Sequence, residues 1–396
     1  MTAYSLASSA SRIGFWKRLA LILAVVGPGI ITSNVDNDAG GITTYSLAGA
    51  DFGLKLLWYM IPITGVLILV QDMTARMGAF SGKGLAALIR ERFGAGVTFY
   101  LMIGVVLTNL ANTVAEFAGV AAALEIFHVP RYVSAPIAAL TVWIMVVKGS
   151  YKSVEKIFLT ACVFYIAYII SGFLAKPDWT QVAQAFLKPE LDLSFPVVTM
   201  VVGLVGTTIA PWMQFYLQAS LVDKGLTAKD YSIIRWDVVV GSITVSVIAF
   251  FIILVCAVTL NKQGIRVESA QEAAIALAPL AGKYASLLFA FGLLNASLFA
   301  ASILPLSTAY SVCEAFGWES SVNCRFHEAP QFYTLYSLFI IIGAGIAMIP
   351  GAPLIQIMFL SQVLNGLVLP VILFFMIFLI NDETAMGGKI IGPVGN

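Results

Sequence analysis

Long apolar runs separated by short polar joints dominate the chain, and the runs have the length that crosses a bilayer. A hydrocarbon core needs about 20 apolar residues of helix. Ten stretches qualify: 19–50, 54–77, 96–125, 131–150, 154–175, 195–222, 229–261, 280–314, 330–350 and 354–380. An amphipathic segment, LAALIRERF at 85–93, is expected to lie at the membrane surface between the second and third spans. Two of the runs are interrupted. The first, LALILAVVGPGIITSNVDNDAGGITTYSLAGA, carries Asp36 and Asp38 near its middle, and the sixth, FPVVTMVVGLVGTTIAPWMQFYLQAS, breaks around Ala210–Pro211.

Backbone that leaves the helical ladder is costly in lipid, so such breaks persist only where they line a cavity enclosed by protein. Paired breaks in corresponding halves are the sequence signature of a midplane substrate site in a secondary transporter. The polar connection KPDWTQVAQAFLKPELDLS divides the ten spans into five and five, each set opening with its broken member. Odd-numbered halves insert with opposite orientations, which makes an inverted repeat. The pattern therefore predicts an all-α membrane protein with helices 1 and 6 broken. It forms a single domain over 1–396, with repeats at 19–175 and 195–380.

Composition places the chain in a membrane. It is 396 residues long, 60% hydrophobic and 11% charged, against about 25% charged for a soluble domain. A net charge of +1 gives nucleic acid nothing to bind. The apolar run after Lys17–Arg18 is too long and too interrupted for a cleaved signal peptide. With the N-terminus inside, cytoplasmic segments collect about twice the Lys and Arg of the outer ones, so both termini are expected to be cytoplasmic. The inner group includes Arg76, Lys83, Arg90 and Arg92, and the outer group includes Lys55, Arg131 and Lys188. Cys162, Cys256, Cys313 and Cys324 have no metal-site spacing, and His128 and His327 fall in expected loops. An intramembrane enzyme would need a nucleophile–base pair or a ligand motif such as HExxH, and neither is present.

Asp38 is the leading candidate for chemistry. A carboxylate at bilayer depth costs about 2.5–3.5 kcal/mol, so it normally faces a cavity and a partner. Gly40 and Gly41 let the chain leave and re-enter helical geometry, and Asp38 is placed to cap the second half-helix. Asp36, two residues earlier in extended backbone, faces the same way. It is either a second carboxylate of the site or a solvated vestibule position, with Asn37 between the two. At the sixth span Pro211 denies a hydrogen bond to the preceding turn. Carbonyls there, those of Thr207 or Thr208, sit at the negative end of a half-helix and favour a cation. Glu116 is a lone acid in the third span, either bonded within the bundle or serving ion passage. Gln362, Asn365 and Asn295 are intramembrane amides that glue helices together or hold an ion's water.

Several stretches resemble the NRAMP-type divalent metal transporters, from Gly27 to about Gly387. They are the GPG…D-x-G…AGA frame at the first break, the run QDMTARMGAFSGKGLAALIRERF, the stretch LFAFGLLNASLFAASILPLSTAYS, and SQVLNGLVLP in the last span. The resemblance implies a LeuT-like fold and import of transition metals, usually coupled to protons. It also implies a metal site made of Asp38, Gly41, Thr207 (a backbone carbonyl), Ala210 and Gln362, with Asp36, Asn37, Glu116, Trp212 and Thr113 around it or along the pathway.

Departures from that pattern reshape the expectation. The family's Asp-Pro-Gly-Asn reads Asp38-Ala39-Gly40-Gly41, keeping the acid and losing the amide. Its Met-Pro-His reads Ala210-Pro211-Trp212, and its Asp-x-x-Glu reads Thr113-Val114-Ala115-Glu116. A thioether favours transition metals over hard cations. Magnesium keeps several waters and binds through one or two carboxylates. The chain is therefore expected to resemble the divergent NRAMP-related magnesium transporters, carrying largely hydrated Mg2+, and Mn2+ also, without proton coupling. Alternatives are proton-coupled transition-metal import and a cation-coupled symporter of a small organic solute. No resident cofactor and no obligate protein partner are expected; the partners are the transported ion and the bilayer, in a prokaryotic inner (cell) membrane.

Overall fold

The computed structural model describes residues 36–148, 162–322 and 324–386. The leading half of the first span with its GPG frame and the start of the fifth span lie outside these residues. So do the basic residues Arg12, Lys17, Arg18, Lys152, Lys156 and Lys389. Every regular element among the described residues is a helix.

Helix α1 (Ala39–Phe52) is the half that follows the first break. A 3-10 turn leads into α2 (Met60–Ser81), and α3 (Leu85–Glu125) comes next. The segment 85–93 and the third span are two helices that meet at Gly94, whose φ 84° and ψ 165° lie outside helical geometry and suit glycine. Helix α4 (Arg131–Val147) and α5 (Ile166–Leu174) complete the first half. The polar connection holds a short helix, α6 (Trp179–Leu187), started by Asp178, whose side chain accepts from two backbone N–H groups. The sixth span is split into α7 (Phe195–Thr208) and α8 (Pro211–Asp223), as its proline predicts. Then follow α9 (Tyr231–Cys256), the short α10 (Ala270–Ala274) and α11 (Ala278–Ala281), and the long α12 (Ala285–Phe316). The chain ends with α13 (Pro330–Ala347) and α14 (Leu354–Ile380).

Among the described residues, seven stretches are long and apolar enough to cross a membrane, and Arg131–Val147 is a shorter apolar helix. Helix α3 lies centrally, packed on α12, α13 and α14, while α1 packs on α9, α14 and α7. Large apolar side chains such as Leu69, Ile137, Phe195, Ile341 and Leu367 point outward. That is the surface a bilayer accepts and water does not.

Two contacts position the breaks. Gly206 of α7 and Gly366 of α14 bring the two backbones together. A Cβ on Gly206 would overlap the Gln362 carbonyl and the Gly366 amide, and one on Gly366 would overlap the Val202 carbonyl. Small residues at such crossings let helices in lipid approach closely. Across the bundle, Asn112 of α3 and Asn365 of α14 exchange amide hydrogen bonds of 2.9 and 3.0 Å.

Candidate functional site

The two breaks meet. Asp38 is extended (φ −69°, ψ −173°) and its Oδ1 accepts from the Gly41 N–H at 2.6 Å, capping α1. A half-helix that starts this way points its partial positive charge at the carboxylate. At the second break Ile209 and Ala210 separate α7 from α8. Pro211 has no N–H to give to the Thr207 carbonyl four residues earlier, so that oxygen is freed by the sequence itself. A Cβ placed on Gly41 would stand 3.2 Å from Thr207 Oγ1 and 3.4 Å from Asp38 Oδ1. The glycine is what lets both oxygens flank the start of α1. Gln362 reaches in from α14, its amide filling the space a side chain on Gly40 would take. That amide is held by Ser361 (3.2 Å) and by Asn365 (2.9 Å).

Glu116 comes from α3. Its Oε2 accepts from the Ala39 N–H at 3.2 Å, which sets its carboxyl beside the residue that follows Asp38. Both readings of Glu116 thus coincide in one place: it is bonded within the bundle, and it adjoins the break. Asp36 is 2% exposed, so in this conformation it is no vestibule residue. Asn37 is buried beside it, and its carbonyl accepts from Tyr165 at 2.8 Å.

The remaining candidates have local partners. The Ala210 carbonyl accepts from the Met213 N–H (3.1 Å) and the Gln214 amide (3.2 Å), which leaves a methyl as its side-chain contribution. Trp212 is buried, and its carbonyl accepts from Ser307 at 3.0 Å. Thr113 is satisfied within α3, bonding the Asn109 carbonyl at 2.8 Å, and its methyl faces Gly343 of α13. It therefore contributes less to the breaks than Glu116, three residues on.

Sequence reasoning missed two groups. Tyr45, two turns beyond Asp38, shares a hydrogen bond of 2.8 Å with Thr208 and ties α1 to α7. Met358 of α14, one turn before Gln362, lies 3.5 Å from the Thr43 hydroxyl. The spacing of Gln362 could have pointed to Met358, since residues four apart share a helix face. Nothing in the sequence alone marks Tyr45.

Several buried polar atoms here are unsatisfied: Asp36 Oδ1 and Oδ2, Asn37 Oδ1 and Nδ2, Glu116 Oε1 and Thr207 Oγ1 have no partner among the described residues. Each such atom costs about 1–3 kcal/mol unless something outside the chain satisfies it. Among the described residues no three His, Cys, Asp or Glu side chains converge into a cage for an ion. The arrangement offers carboxylates, hydroxyls, an amide and a freed carbonyl. These oxygen groups suit a hard cation and its water, and a soft atom nearby, the Met358 sulfur, accepts from the Thr43 hydroxyl.

A bundle of apolar helices whose half-helix termini meet at buried polar groups defines a multi-span membrane transporter of the LeuT fold. The manganese transporter of Eremococcus coleocola shares it. One mutant of that protein gives a TM-score of 0.76 at 21% identity, over 96% of this chain and 83% of that one. Its complex with an aromatic bis-isothiourea substituted compound gives 0.72 at 22%, over 95% and 82%. A nucleobase-cation-symport-1 family transporter, closed with bromovinylhydantoin bound, gives 0.56 at 13%, over 85% and 74%. The family profile described as natural resistance-associated macrophage protein-like (Nramp) matches residues 29–396. The chain belongs to the Nramp family: it is a metal-ion transporter of the membrane and not an enzyme.

Proposed function

We propose that this chain carries divalent cations, Mg2+ foremost and Mn2+ with it, largely hydrated, by alternating access and without proton coupling. The observation that carries the proposal is the second break. It presents Ala210 and Trp212 on either side of Pro211 and beside Thr207, and neither residue carries sulfur or imidazole. Asp38, Gly41, Thr207, Ala210 and Gln362 border the ion, and Asp36, Asn37 and Glu116 stand around them. Hard oxygen groups and few charges leave the ion its water, which suits magnesium. Residues 19–175 and 195–380 act as inverted repeats of one transport domain in a prokaryotic inner membrane. Two charges moving down 100 mV gain about 4.6 kcal/mol, enough to drive accumulation without a second gradient. The manganese carried by the Eremococcus coleocola relative fits the same class of cargo.

Asp38→Asn tests the site, because the amide oxygen can still cap α1 while the charge is lost. Uptake of Mg2+ into proteoliposomes is expected to fall to background with the protein still monodisperse. Full uptake would remove Asp38 from the site. A second reading, proton-coupled transition-metal import, is favoured by one feature, the neighbouring carboxyls of Asp38 and Glu116. Two carboxyls set side by side can hold one proton between them. A pH dye in the lumen separates the readings: no acidification during uptake supports uncoupled flux, and acidification that tracks uptake supports coupling.

A further inference from the structure

Asp36 is the acid at the breaks that the fold leaves wholly unused. Asp38 spends one oxygen on Gly41 and Glu116 spends one on Ala39, whereas neither Asp36 oxygen has a partner among the described residues. Yet Asp36 is 2% exposed. An unpaired carboxylate buried to this extent is retained only where something else compensates it.

Its surroundings identify what that is. The Asp36 carbonyl lies against Gly41, so the residue is folded over the start of α1. Two turns along α1 the Tyr45 hydroxyl bonds Thr208 at the second break. Asn37 and Thr207 add three more buried polar atoms without partners among the described residues. A bare ion bound at Asp38 would use one or two of these groups. A hydrated ion uses many of them, because each water on a cation turns its hydrogens outward and a carboxylate is the strongest acceptor for them.

We infer that Asp36 is a specificity-determining residue that binds the water molecules of the hydrated ion from outside its first coordination sphere. It supplies the second negative charge a divalent ion needs without displacing that water. The inference rests on the proposed reading of a hydrated ion at Asp38.

The test uses hexaamminecobalt(III), whose ammines do not exchange and which therefore reports outer-sphere binding alone. It is expected to inhibit Mg2+ uptake by the wild-type protein competitively. In Asp36→Asn the inhibition constant and the KM for Mg2+ are each expected to rise about tenfold, the loss of one charge-assisted contact, with Vmax nearly unchanged. Asp36→Glu should recover most of both. Absence of inhibition in the wild type, or unchanged constants in Asp36→Asn, would overturn the inference. If Asp36→Asn does not fold, Asp36→Ser takes its place: it too removes the charge, the same rise in both constants is expected, and unchanged constants count against the inference. Asp38→Asn separates the two layers. Background uptake there with an indifferent Asp36→Asn discards only the role of Asp36, while full uptake there discards the site itself.

Discussion

A single methyl group carries much of the selectivity argument. Ala210 sits at the second break with its carbonyl already bonded twice, so its side chain is all it can offer an ion. Replacing that methyl with a thioether would add a soft donor beside Thr207. Ala210→Met is therefore expected to shift isotope competition towards Mn2+ or Cd2+ over Mg2+ by about tenfold, near 1.4 kcal/mol. An unchanged competition profile would show that softness at this position does not set the preference. Gly40 acts by omission in the same way: its missing Cβ is what admits the Gln362 amide.

At the level of helices, close backbone crossings rather than long side chains fix the site. Gly206 and Gly366 set α7 on α14, and Gly49 lets α1 approach the Ile253 carbonyl of α9. Gly206→Ala forces a methyl onto backbone atoms that have no rotamer to escape into. Overpacking of this kind costs about 1–3 kcal/mol, so a lowered melting temperature in detergent is expected, measured by fluorescence size exclusion after heating. A variant as stable as the parent would mean that the two helices part at little cost.

The sequence-based reading anticipated the apolar spans found among the described residues, the split at Pro211 and the helix start after Asp38, because apolar length, proline and the Asp38–Gly41 run are local signals. It placed Asp38, Thr207 and Gln362 near one another only through resemblance. The structure brings them together through Gly41 and Gly40. Tyr45 and the crossing at Gly366 were not legible, since their partners lie far away in sequence. The short helix α6 was read as a plain connection because its nine residues are too few to give a membrane-length signal. The parting of segment 85–93 from the third span was legible in its amphipathic pattern, and Gly94 is where the two helices separate.

For the molecule as a whole, charged contacts gather at the two ends of α2. At one end Lys55 pairs with Asp192 at 2.6 Å, and the ammonium holds that carboxyl down at about 2. At the other end Lys83 pairs with Glu91 at 2.7 Å, Arg92 pairs with Asp382, and the Gln218 amide holds the Lys83 carbonyl at 2.8 Å. If both termini are cytoplasmic, Lys55 and Asp192 face outward. A cysteine introduced at Asp192 should then react with an impermeant maleimide in intact cells. One at Glu91 should react only after permeabilisation. The reverse pattern would invert the orientation.

The crossing of Gly206 on Gly366 couples two tasks that other arrangements would keep apart. Gln362 stands on α14 one turn from Gly366, with its side chain at the first break and its carbonyl against Gly206 beside the second. Any shift of α14 would therefore be felt at both interruptions together, through the Gln362 amide at one and the Gly206 backbone at the other, as two ends of a single lever.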